Sequence, residues 1–160
     1  IYHRPLDWVE ALLAQGADPN APDRGGRSAM HHAVVAPRPD RAALLRALIL
    51  SGGDPAQPAI DGSTAQGLAA MAGAPDMAAV CDFRTGEHPR HRLRPEDVPR
   101  AARDGRERLL LKLLELDLSV DARDERQATA LMHAAGLGNR RLVGLLLERG
   151  AQIGLRTDRG

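Results

Sequence analysis

Three groups of residues in this 160-residue chain have types that chemistry uses. Cys81 and His88 pair a nucleophile with a base. No oxyanion-type Gly turn and no orienting acid accompanies them, and a lone cysteine is more often a small buried apolar residue, so no catalytic residue is expected. His88 and His91 are three residues apart, and His31 and His32 are adjacent. No second cluster of Cys or His stands at a ligand spacing, so the expectation is no metal and no other cofactor. The third group is basic. Arg84, Arg90, Arg92 and Arg94, with His88 and His91, face a single acid, Glu87. An Arg fork meets carboxylates and phosphates in a bidentate way. The run reads first as a solvated loop in an Arg-biased chain and next as a basic edge that meets an acidic protein surface; with no Gly-rich phosphate loop beside it, a phosphate-bearing ligand comes last.

Composition bounds these readings. The chain is 43% apolar and 27% charged, with a net charge of +1, which argues against a general polyanion binder. Its basic residues are 21 Arg and one Lys, Lys112. This bias, with abundant Ala, Gly and Pro, points to a GC-rich, bacterial coding sequence. Tyr2, Trp8 and Phe83 are the only aromatics. A core of Ala and Leu suits closely packed helices, because Ala lets helix axes approach and Leu fills the gaps. The one cysteine permits no intrachain disulfide. No apolar run approaches the ~18 residues of a membrane span.

The elements that position the candidate residues repeat along the chain. Turns begin at Gly16, Gly52, Asp117 and Gly150, spaced 36, 65 and 33 residues apart, and each follows an apolar helical run. A short Ala-rich helix gives the same register through Ala33, Ala69 and Ala134, with the missing unit at Ala101. The period is therefore 33, with three extra residues in one unit and two units inside the long interval. Ser28, Thr64 and Thr129 are placed to cap the first helix of a unit. Gly73, Gly105 and Gly138 separate its two helices. Leu44, Leu45 and Leu48, then Leu110, Leu113 and Leu114, then Leu142, Leu145 and Leu146, form the expected seam. Pro37 and Pro39 should lengthen one inter-helix turn, and the second helix at about 76 to 83 should be short.

Two short helices and a Gly/Asp turn every 33 residues resemble the ankyrin repeat. Thr129, Leu131, Ala134, Ala135, Gly138, Leu145, Leu146, Gly150 and Ala151 carry the likeness best. Ala29, Ala65 and Ala130 stand where that family has Pro, and its His survives only as His31. The resemblance implies an all-α solenoid of stacked helix-turn-helix units with short β-turn fingers. One domain over 1–160 is expected, with a partial repeat at 6–22 and repeats at 23–58, 59–92, 93–124 and 125–160. Because the chain opens on Ile1 and 157–160 read as the start of a further repeat, it is expected to be a segment of a longer array.

The resemblance further implies that His31 bonds across neighbouring turns, and that a partner meets first helices and fingers on a concave face. His32, Arg90, Arg92, Arg94, Arg100, Arg103, Arg123 and Arg126 are the candidate contacts. The partner is another protein or another domain of the same chain, acidic where it meets the Arg residues. Nucleic acid is not expected, because no aromatic stands near the fingers to stack on a base. No membrane contact is expected. A regulatory or structural spacer is the alternative reading, and a sensor of a phosphate-bearing ligand the third.

Overall fold

The computed structural model describes residues 5–82 and 91–158. Nine helices lie among them, with no strand and one isolated antiparallel bridge, Arg123 to Thr129. The fold is all-α. Its residues gather into two compact units, Ile1–Leu93 and Arg94–Gly160. The first holds α1 (Pro5–Ala14), α2 (Ala29–Val35), α3 (Arg41–Leu50), α4 (Ala65–Met71) and α5 (Pro75–Cys81). The second holds α6 (Asp97–Arg103), α7 (Glu107–Glu115), α8 (Ala130–Gly136) and α9 (Arg140–Glu148). Within the first unit, α2 pairs with α3 and α4 with α5, while α2 packs on α4 and α3 packs on α1 and α5. Within the second, α6 pairs with α7 and α8 with α9, and α6 packs on α8.

Local chemistry sets where these helices start and stop. Thr64 Oγ1 accepts from the Gly67 N–H at 3.0 Å, and Thr129 Oγ1 from the Met132 N–H at 3.4 Å. Each satisfies one donor that the opening turn leaves free. Ser28 does not cap this way. The imidazole of His31 takes its place: Nδ1 lies 3.0 Å from the Ser28 hydroxyl and accepts from the Ser28 N–H at 3.1 Å. Asn139 caps α9 by accepting from the Leu142 N–H at 3.0 Å. Gly105 and Gly138 stand between paired helices with φ of 68° and 67°, a left-handed turn that a side chain would strain. The unit with Pro37 and Pro39 turns without such a glycine. There Arg38 holds Asp40 through two bonds, at 2.9 and 2.6 Å.

The seam is largely the expected one. Leu44, Leu45, Leu48, Leu110, Leu113, Leu142 and Leu146 are buried, joined by Met30, Ile49, Met77 and Leu109. Leu114 and Leu145 are only half-buried. Burying one such side chain fully stabilises by about 1.5–3 kcal/mol, so the seam dominates the favourable side of folding. Successive turns are also tied by polar bonds. In the first unit Asn20 donates to the Gly52 carbonyl at 2.9 Å and accepts from the Asp54 N–H at 2.7 Å. In the second, Asp121, at the same place in its turn, accepts from the Gln152 N–H at 2.9 Å.

Candidate functional site

Three fingers close on the same backbone bond, from the first residue's N–H to the carbonyl four residues on. The pairs are Asp23–Arg27 at 3.0 Å, Ala59–Ser63 at 2.8 Å and Asp124–Ala128 at 3.0 Å. The fourth residue of each is left-handed: Gly26, Gly62 and, against the usual preference, Gln127, with φ of 74°, 77° and 59°. At Gly26 a Cβ would also stand 2.9 Å from the Ile60 nitrogen of the next finger. That nitrogen donates to the Gly25 carbonyl at 3.0 Å, and Arg27 pairs with Asp61 at 2.8 Å, so the first two fingers are stitched together.

An acid anchors the first and last of these fingers. Asp23 Oδ1 accepts from the N–H of Gly25 at 2.8 Å and of Arg27 at 2.9 Å, while Oδ2 meets His32 Nε2 at 2.8 Å. Asp124 repeats the arrangement, with the N–H of Arg126 at 2.9 Å and of Ala128 at 3.0 Å, and His133 Nε2 at 2.8 Å. The donors hold the Asp23 carboxyl below the ordinary carboxylate value, the Arg27 N–H most and His32 next. Burial pushes the Asp124 carboxyl up, but His133 and the two N–H groups outweigh it and the net shift is down. Asp61 is also lowered, by the Ser63 hydroxyl and then by Arg27. His32 is therefore engaged in pinning a finger to its helix. His133 does the same work and carries a sequence signal: the nine-residue Asp-to-His spacing of 23/32 recurs at 124/133. His31 bonds across turns, its Nε2 lying 3.1 Å from the Ser63 carbonyl oxygen. Because Nδ1 accepts from the Ser28 N–H, Nε2 carries the proton and donates.

The predicted Arg residues divide. Arg90 and His88 lie outside the described residues. Arg92 and Arg94 stand just ahead of α6, where the Arg94 carbonyl accepts from the Asp97 N–H at 3.0 Å and the Arg94 N–H donates to Asp97 Oδ2 at 2.8 Å. Leu93 between them is buried and donates to the Leu50 carbonyl at 2.7 Å, drawing the chain onto the end of α3. Both Arg side chains are exposed and meet no partner among the described residues, as do Arg24 and Arg126. Arg100 pairs with Glu125 and lies 3.8 Å from Asp97. Arg103 meets Asp104 at 3.3 Å, and Arg123 donates to Gln127 at 3.2 Å. Cys81 is buried. Among the described residues no group of three metal-ligating side chains gathers, and no helix is long and apolar enough to cross a membrane.

A family model described as "Ankyrin repeat" matches residues 126–158, which take in the end of the last finger, α8 and α9. No curated protein matches the chain. Among solved structures, the chain is similar to the ankyrin repeat domain of Bcl-3, described as a unique member of the IkappaB protein family. Identity is 23%, coverage is 97% of this chain and 69% of that one, and the TM-score is 0.43. It is likewise similar to EF0377, an ankyrin repeat protein, at 23% identity, 98% and 81% coverage and a TM-score of 0.44. Repeats of this kind serve in general as surfaces for protein–protein interaction.

Proposed function

Taking ankyrin-repeat units as the premise, we propose that the chain is a protein-interaction module without catalytic activity, and that its partner is acidic. One observation carries the reading. The acids of the fingers are engaged within the chain: Asp23 by His32, Asp61 by Arg27, Asp124 by His133 and Glu125 by Arg100. Arg24 and Arg92 in the first unit, and Arg94 and Arg126 in the second, keep exposed guanidinium groups with no partner among the described residues. Each unit therefore offers uncompensated positive charge on loops that precede a first helix. The partner is another protein or another domain of the same chain.

Replacing Arg92, Arg94 and Arg126 with Ser tests this. Association with a poly-glutamate peptide should slow, and the loss should be largest at low salt, because exposed charges act mainly on the approach. An unchanged affinity and an unchanged salt slope would leave these Arg residues as solvated loop residues.

A further inference from the structure

We propose that the outer face of α2 and α4 docks a protein segment that presents an apolar side chain and, four or five residues away, a carboxylate. The proposal rests on the protein-interaction reading above and gives the partner its chemistry.

The apolar half follows from register. Ser28 and Thr64 precede α2 and α4, and Val35 and Met71 are each seven residues further on. The two helices pack together. The His31 bond to the Ser63 carbonyl and the Ile60 bond to the Gly25 carbonyl hold them level. Neighbouring helices lie about 8–10 Å apart, so the two side chains share one patch. Val35 is 57% exposed and Met71 86% exposed, with half-buried Leu68 one turn back on α4. Nothing in the fold requires a methionine so far out in water. Its flexible, polarisable chain adapts to an incoming apolar group. In the second unit the same two positions hold Arg103 and Gly136, so the apolar patch belongs to the first unit alone.

Charge complementarity supplies the carboxylate. Asp23 and Asp61 stand at the head of this face, and both are already bonded, by His32 and by Ser63 and Arg27. Arg24, beside Asp23, is exposed and meets no partner among the described residues. The Asp23–His32 bond of 2.8 Å fixes the finger against α2 one turn before Val35. A turn rises about 5 Å, which with the side chains puts Arg24 roughly 15 Å from Val35. An extended segment covers that in four or five residues at ~3.3 Å each. A bilayer would meet Asp23 and Asp61 together with Arg24, so a segment carrying one carboxylate fits better than an anionic lipid surface.

A random twelve-residue peptide library displayed against the whole chain tests the proposal. Enriched peptides should carry Asp or Glu four or five residues from Leu, Met or Phe. Val35→Ser and Met71→Ser should each weaken the best synthetic peptide at least tenfold, Met71→Leu should restore it, and Arg24→Glu should turn the selection toward Lys and Arg. These side chains are exposed, and far-UV circular dichroism checks that each variant folds. Enriched peptides whose affinity ignores Val35→Ser and Met71→Ser would overturn the docking face and leave the general reading standing. A library that enriches nothing would remove both. Concentration-dependent self-association abolished by Met71→Ser would make a second copy the occupant. Binding to phosphatidylserine vesicles that needs Met71, without peptide binding, would make it a membrane. Either result overturns the proposal.

Discussion

A single carboxylate can organise a whole loop when both of its oxygens find donors. Asp124 does this for the last finger, holding two backbone N–H groups on one oxygen and His133 on the other. Its pKa is lowered by folding, so the folded chain binds fewer protons than the unfolded one. The stability it contributes is full above the unfolded-state value, near pH 4, and is lost as the pH falls through the lower folded-state value. Asp124→Asn should therefore melt well below the parent at pH 7. The two melting curves should draw together as the pH is lowered past about 4 into the acid range. A gap of constant size down to pH 2 would show that the carboxylate's charge plays no part. The sequence hid this residue pair in plain view. His133 sits inside an Ala-rich helix, and its role exists only once the finger folds back to it. His31, by contrast, stands where the resemblance gives His a structural place. The segment of Arg92 and Arg94 is held by a contact that spacing does not reveal: buried Leu93 donates its N–H to the Leu50 carbonyl at the end of α3.

Helix length and apolar spacing decide how firmly each element is held. Turns, caps and Leu seams were legible because each recurs, and recurrence separates a structural position from chance. The three-residue insertion was equally legible, since Pro37 and Pro39 announce it, although the Arg38–Asp40 clasp that closes it was not. The short helix expected at about 76 to 83 is α5, seven residues long. It buries Met77 and Cys81, whereas the ten-residue α3 buries Leu44, Leu45, Leu48 and Ile49. Fewer buried apolar groups mean a smaller free energy of local opening. Native-state hydrogen exchange should be faster at the amides of residues 79–81 than at those of 45–49. Equal protection would show that α5 is held as tightly as α3 despite its smaller core.

Stacked repeats make stability a property of neighbours. Each unit has its own seam and its own polar tie, Asn20 in the first and Asp121 in the second. The third turn of this kind in the sequence, 52–56, carries Ala56 at that place, and its Asp54 accepts from the Ala56 N–H within the turn at 2.9 Å. In a chain whose energy is a sum over adjacent repeats, losing one tie should be felt first where the tie acts. Asp121→Ala removes the acceptor from the Gln152 N–H in the turn that follows α9. An unmade bond to a charged group costs about 1.5–3 kcal/mol, or less where water replaces it, as at this exposed turn. Exchange should accelerate at the amides of α8 and α9, while those of α2 and α3, tied through Asn20 and Asp54, keep their rates. Equal acceleration in all four helices would show that the chain opens as one cooperative body, and that the polar ties act on the whole molecule and not on the step they bridge.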